Sequence, residues 1–152
     1  LPEMEASPAR TAIESTLLED KILTVTESGK VKKLDLVTSL GGAKFIDKAI
    51  DEDTKYVFIP GAFTLSVVNG IASTKLKNVE FILKDPTRIF LNPMDWGIMK
   101  KRGLKVKVLK NIVIAAITVN PWAPSGYTFD NQLLVSEMQK AIPEIPVIDV
   151  RM

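Results

Sequence analysis

The chain has no cysteine and no histidine. The first absence excludes disulfides and thiolate nucleophiles. The two together exclude Ser-His-Asp and Cys-His catalytic groups and the usual ligand sets of zinc. An all-carboxylate magnesium or calcium site, or a Ser/Lys mechanism, survives that cut. Charge of one sign is also missing: 20 Lys and Arg stand against 18 Asp and Glu, a net charge of +2. No whole-chain field therefore argues for nucleic acid or for an anionic membrane surface. The longest apolar run, near Ile112 to Val119, falls far below the roughly 20 residues that cross a bilayer. Leu1-Pro2-Glu3-Met4-Glu5 carries neither a positive n-region nor an apolar h-region, so no signal peptide is expected and the expected location is cytoplasmic. The start at a residue other than methionine suggests either processing or a piece of a longer chain, and is read as the latter, with partner domains.

What is present suits a globular domain. At 152 residues and 46% hydrophobic content, residues 1–152 are expected to form one α/β domain with a real core. The central stretch is Thr54 to Gly70: a β-branched and aromatic run, a break at Pro60-Gly61, then apolar residues at helical spacing, which together predict a strand, a tight turn and a helix. Before it, Ser7-Pro8 predicts a helix start with Ser7 as N-cap, running to Asp20 with Ile13, Leu17 and Leu18 on its apolar face. Lys21 to Thr26 follows as a strand that stops at Glu27-Ser28-Gly29-Lys30. Gly29-Lys30 is compared with the end of a phosphate-binding P-loop. That motif needs a glycine five residues before the pair and Ser or Thr after it, where Thr24 and Val31 stand, so a plain turn is expected. Val31 to Leu40 fits helix or strand, Gly41-Gly42 punctuates it, and Ala43 to Ile50 reads as a helix with Phe45, Ile46, Ala49 and Ile50 inward.

Further strands are expected at Asn78–Leu83, Leu104–Leu109 and Pro146–Val150, with a short extended stretch at Arg88–Leu91. Ile112 to Val119, which does not alternate, is expected to be a central strand buried on both faces. Helices are expected from Asn92-Pro93 to Arg102-Gly103, with Trp96, Ile98 and Met99 on the apolar side, and from Asp130 to Ala141, with Leu133, Leu134 and Met138 inward. Strands alternating with helices predict βαβ units. The expected fold is thus a three-layer, Rossmann-like α/β domain, with a mainly parallel sheet of five or six strands and helices on both faces.

In a parallel sheet the exit loops Glu27–Lys30, Pro60–Thr64, Lys84–Arg88 and Asn120–Asp130 would collect on one edge, the default binding position of the architecture. Gly61 allows close backbone approach and Thr64 opens a helix whose amides could hold an anion; alternatively, Gly61 serves only the turn. Lys84-Asp85-Pro86-Thr87-Arg88 gathers a carboxylate, a hydroxyl and two cations. Arg88 could clamp a phosphate or carboxylate and Asp85 could hold a metal or act as a base; the plainer reading is an Asp-Pro turn beside an ion pair. The loop Asn120 to Asp130 carries Trp122 and Tyr127, able to stack on a ligand or a partner or else to cover a sheet edge. Lys100, Lys101, Arg102, Lys105, Lys107 and Lys110 form a basic cluster that could meet phosphates, but solvated lysines are ordinary on such a face and nucleic acid is not the expected partner.

The segment Val119-Asn120-Pro121-Trp122-Ala123-Pro124-Ser125-Gly126-Tyr127-Thr128-Phe129-Asp130, with the turn Pro60-Gly61-Ala62, resembles the carboxyl-terminal segments of uncharacterised proteins from anaerobic bacteria. The resemblance covers mainly residues 54 to 150. It implies a domain that follows a separate nucleotide-binding domain and implies no known catalytic residues, and the chain carries no nucleotide motif of its own. The expectation is a non-catalytic ligand-sensing or regulatory domain binding a small anionic metabolite or nucleotide through Gly61, Thr64, Asp85, Thr87, Arg88 and Tyr127. No catalytic or metal-binding residue is assigned and the cofactor stays open. The alternatives are an interaction or homodimerisation module using Trp96 and Trp122, and a magnesium-dependent phosphate-ester enzyme built on Asp85 and a further carboxylate.

Overall fold

The computed structural model describes residues 1–35 and 42–150. The chain divides into two compact units, Leu1–Asn111 and Ile112–Met152, called here unit 1 and unit 2.

Unit 1 is a mixed α/β structure around a five-stranded, mostly parallel sheet. The chain opens with α1 (Pro8–Glu14), in which Ser7 Oγ accepts from the Arg10 amide at 3.1 Å and Pro8 takes the first position, as the Ser-Pro pair predicts. A 3-10 turn at Leu17–Glu19 leads into β1 (Ile22–Thr26) and β2 (Val31–Leu34). Gly29, at φ +93°, takes the left-handed turn between these strands, so Gly29-Lys30 is the plain turn. Of the ambiguous stretch 31–40, Val31–Leu34 is strand; its last five residues, and Gly41 after them, lie outside the described residues. Then come α2 (Gly42–Ala49), β3 (Thr54–Ile59), β4 (Phe63–Thr64), α3 (Leu65–Asn69), α4 (Ser73–Leu76) and β5 (Glu80–Leu83). The unit closes with β6 (Ile89–Phe90), α5 (Pro93–Lys101) and β7 (Val106–Val108). Helix α5 has the predicted caps: Asn92 Oδ1 accepts from the Asp95 amide at 2.8 Å, and Gly103 stands just beyond the end at φ +100°.

The strand order is β2-β1-β3-β5-β7. β3, β5 and β7 are parallel neighbours, whereas β1 pairs antiparallel with both β2 and β3. Past β7 the amino terminus continues the sheet: Met4 N–H donates to Val108 O at 2.8 Å and Val108 N–H to Pro2 O at 3.0 Å. Arg10 fastens this edge through its Nη1 to Met4 O and its Nη2 to Leu109 O at 2.7 Å.

Side chains alternate across a strand, and the sheet uses the alternation to feed two clusters. Ile22, Val57, Ile59, Phe81, Leu83, Val106 and Val108 pack with Ile46 and Ile50 near α2, Val68 of α3, Leu76 of α4 and Met99 of α5. Leu23, Val25, Phe58 and Ile82 pack with Ala9 and Ile13 of α1, Met4 and Leu109. Three residues of unit 1 expected on apolar faces are outside: Leu18 is 102% exposed, because α1 ends at Glu14 and not at Asp20, Phe45 is 51% exposed and Ile98 48%. A helix covering a sheet buries only one stripe, and Ile46 and Ala49 occupy that stripe in α2 as Met99 does in α5.

Unit 2 consists of β8 (Ile117–Val119), α6 (Asn131–Ala141) and β9 (Val147–Asp149), with β8 and β9 parallel, a single βαβ unit. The expectation of Ile112 to Val119 as a buried central strand is corrected here. Only Ile117–Val119 pairs, and Ile112, Val113 and Ile114 are 44%, 96% and 52% exposed in irregular chain. Leu133, expected inward on α6, is 60% exposed. Gln139 ties the unit together: its Nε2 donates to Ile142 O and Ile145 O at 3.0 Å each, and its Oε1 accepts from Val147 N at 2.9 Å. No helix among the described residues is long and apolar enough to cross a membrane.

Candidate functional site

At the carboxyl ends of β3 and β5 two loops are joined directly. After β3 the chain turns at Pro60-Gly61 and enters β4; after β5 it turns at Asp85-Pro86 and enters β6. β4 and β6 then pair in parallel, Phe63 beside Ile89 and Thr64 beside Phe90. The buried Phe63 ring anchors the junction, 5.2 Å from the Phe81 ring in the core. The structure thereby brings Gly61, Thr64, Asp85, Thr87 and Arg88 to one edge of unit 1.

Asp85 has the role of its plainer reading. Its Oδ1 accepts from the Thr87 amide at 2.8 Å and from the Thr87 hydroxyl, capping the 3-10 turn Pro86–Arg88. Its Oδ2 lies 3.9 Å from Arg88 Nε. The Thr87 hydroxyl first, then the Thr87 amide and the charges of Arg88 and Lys84, hold the Asp85 carboxyl below its ordinary value, against the effect of burial. Arg88 Nε is buried and makes no hydrogen bond, because 3.9 Å is too long for one. Thr64 Oγ1 lies 2.8 Å from Ser66 Oγ and caps no amide, so the first turn of α3 starts without a side-chain cap.

Gly61 is exposed, its φ lies outside the left-handed region, and a Cβ built there would meet nothing within 4 Å. The turn alone therefore does not require glycine, in contrast to Gly29 and Gly103, where φ is positive and a Cβ would meet Pro8 O at 2.9 Å or Lys77 Cγ at 2.7 Å.

The Glu27–Lys30 loop does not join this edge. β1 runs antiparallel to β3, so its exit lies beside the start of β3. There Thr26, Glu27, Ser28 and Lys30 face Asp51 to Lys55 across a depression of about 640 Å³. Asp51 Oδ1 accepts from the amides of Asp53 and Thr54 and from the Thr54 hydroxyl, each at 3.0 Å. The Thr54 hydroxyl leads in holding that carboxyl below its ordinary value. No group of three or more carboxylates suited to a metal occurs among the described residues.

The basic cluster is largely engaged within unit 1. Arg102 reaches Asn69 Oδ1 at 3.3 Å and Ser73 Oγ at 3.1 Å, Lys105 reaches Lys77 O at 2.9 Å, and Lys100 stands 5.9 Å from the Trp96 ring centre. Lys107 forms an ion pair with Glu80 Oε2 at 3.1 Å, without the geometry of a hydrogen bond, and the nearby carboxylate raises the lysine above its ordinary value. Sequence reasoning missed this pair. Its signal was a glutamate and a lysine on two strands that are neighbours in the sheet. Trp96 is partly buried against the core of unit 1.

No family model, curated protein or solved structure matches the chain.

In unit 2 the loop Asn120 to Asp130 folds on itself. Trp122 bridges to Thr128, Ala123 N–H donates to Tyr127 O at 2.8 Å, and Gly126 turns the chain at φ +85°. Tyr127 stands edge-on to Phe129 at 5.2 Å, and Trp122, Tyr127 and Phe129 are 59%, 62% and 57% exposed.

Proposed function

We propose that the chain contains a non-catalytic ligand-sensing or regulatory domain of Rossmann-like type, whose unit 1 binds a small anionic metabolite or nucleotide at the exits of β3 and β5. The observation that carries this reading is the β4–β6 pairing, which holds the Gly61 and Arg88 loops side by side at the carboxyl ends of parallel strands, where open α/β sheets take ligands. Gly61 offers bare backbone at a turn that does not need it for folding. Arg88 brings the one guanidinium of the loop, with a buried Nε that lacks a hydrogen bond and lies 3.9 Å from the Asp85 carboxylate.

A ligand that binds only the folded chain raises its melting temperature. Adenosine monophosphate and inorganic phosphate, at millimolar concentration, are expected to raise that of the wild-type chain and to leave that of Arg88→Met unchanged. A screen of nucleotides and phosphorylated metabolites with no shift in the wild type would overturn the reading.

A second reading rests on unit 2, where three exposed aromatics share one loop. Aromatic residues are enriched in the cores of interfaces. On this reading Trp122 anchors a second copy or another domain of the same protein, and Trp122→Ala weakens association by about 2 kcal/mol or more.

A further inference from the structure

Side chains alternate along β4 and β6, and the register of the pair decides which face each one takes. Phe63 is buried and Ile89 packs against the core, so their neighbours Thr64 and Phe90 point outward together, side by side in the parallel pairing. Phe90 is 65% exposed. No ring among the described residues stands against it, whereas Phe63 meets Phe81 and Tyr127 meets Phe129. A single apolar side chain at a surface is ordinary. This one has a particular place: its backbone lies one strand spacing, about 4.8 Å, from that of Thr64 and two residues beyond Arg88. Two residues of chain span at most about 7 Å, a reach comparable with the separation of phosphate and base in a mononucleotide.

The polar groups at the same edge complement such a molecule. The Arg88 side chain is 41% exposed and makes no hydrogen bond to a described residue; its ionic contact is the Asp85 carboxylate at 3.9 Å. A guanidinium presents its N–H donors in one plane, in the geometry that a phosphate accepts. Thr64 Oγ1 lies 2.8 Å from Ser66 Oγ, so two exposed hydroxyls, each able to donate and accept, stand on the Phe90 side of the junction. A phosphate without a ring would use Arg88 and the Gly61 backbone and leave the Phe90 face bare, whereas a nucleotide would engage all of these groups.

We propose, on the anion-site reading of unit 1, that the ligand of that site is a nucleoside phosphate: its phosphate at Arg88 and the Gly61 backbone, its ribose beside the Thr64 and Ser66 hydroxyls, and its base stacked on Phe90. Every base has a π face, so the stack selects for a ring and not for one particular base.

The test is calorimetric titration of the chain with adenosine monophosphate and with ribose 5-phosphate, which share sugar and phosphate and differ in the base. Adenosine monophosphate is expected to bind the wild type at least about fivefold more tightly, the low end of what stacking one base on an aromatic side chain contributes. Phe90→Leu, which keeps an apolar side chain and removes the ring, should bring adenosine monophosphate down to the affinity of ribose 5-phosphate and leave ribose 5-phosphate unchanged, and Phe90→Tyr should bind both as the wild type does. Equal affinity of the two ligands for the wild type, unchanged adenosine monophosphate affinity in Phe90→Leu, or an equal loss of both ligands in that variant would overturn the base stack while leaving the anion site standing. Binding of neither ligand would remove the anion site and the proposal with it. Should Phe90→Leu fail to fold, the ratio of the two affinities in the wild type decides.

Discussion

Replacing Gly61 with alanine separates a ligand-binding glycine from a turn glycine. At Gly61 the backbone is outside the left-handed region and the space for a Cβ is empty to 4 Å, so alanine brings neither strain nor a clash. The remaining effect is on the unfolded chain, which loses conformational freedom, and Gly→Ala at a compatible site stabilises by about 0.4–1 kcal/mol. With a urea slope of about 1–3 kcal/mol/M, the denaturation midpoint of unit 1 should move up by roughly 0.1–1 M. Gly103→Ala is the control. Its φ of +100° and the Lys77 Cγ at 2.7 Å from the built Cβ should make it destabilising by about 1–2 kcal/mol or more. The anion-site proposal adds a second expectation: the new methyl group stands where the ligand meets bare backbone, so Gly61→Ala should bind adenosine monophosphate several-fold more weakly while being no less stable. Urea melts and a binding isotherm on the same protein decide the matter. A loss of stability of 1 kcal/mol or more would refute the reading of the backbone, and unchanged nucleotide affinity would refute the reading of the site.

Lys107→Met should destabilise unit 1 by about 1–3 kcal/mol, because it leaves the mostly buried Glu80 carboxylate without its cation; the double variant Lys107→Met/Glu80→Leu should recover most of that loss in the same melts. Phe81→Ala should cost about 3–5 kcal/mol, since the fully buried ring supports Phe63 and hence the β4–β6 junction. Stability should be level between about pH 4 and pH 10 and fall outside that window. The Asp51 and Asp85 carboxyls titrate below the ordinary 3.8 when folded, so what they add is complete above that value and is lost as pH falls through the folded values. Lys107 lies above its ordinary 10.5 through Glu80, and Tyr56 above its ordinary 10.0 chiefly through burial, so their contribution is complete below about pH 10 and is lost as pH rises. Thermal melts across pH check both limbs, and a loss of stability between pH 5 and 9 would contradict these assignments. Trp122→Ala, at a side chain 59% exposed, should lower stability by less than about 1 kcal/mol, far below the roughly 3–5 kcal/mol of a packed aromatic.

What was legible in the sequence was local chemistry. Ser7-Pro8, Asn92-Pro93 and Gly103 mark helix ends because a capping oxygen, a missing N–H and a left-handed residue each satisfy a requirement of the helix terminus, and each acts there in the structure. The break at Pro60-Gly61 after the β-branched run was legible in the same way. Strand direction was not. The antiparallel course of β1 follows from its turn at Gly29 into β2 and its pairing with β3, and periodicity is the same for a strand run in either sense. This error put Glu27–Lys30 on the wrong edge. The run Ile112 to Val119 failed for a related reason: a continuous apolar run records a tendency to be buried, and the partner that buries it is not written in the run. The grouping of Gly61 with Arg88 rested on the parallel arrangement of β3 and β5, which holds. The burial of Asp149 was missed, although the alternation in β9 puts it in register with the buried Val147.

The central claim is that an anion binds between the Gly61 and Arg88 loops, and a titration of the ¹⁵N-labelled chain with adenosine monophosphate, followed by NMR, tests it most directly. The account predicts saturable shifts of the amides of Gly61 to Ser66 and Thr87 to Ile89, absent in Arg88→Met. Absence of shifts at millimolar nucleotide, or shifts confined to the Lys100 to Lys110 segment, would contradict it.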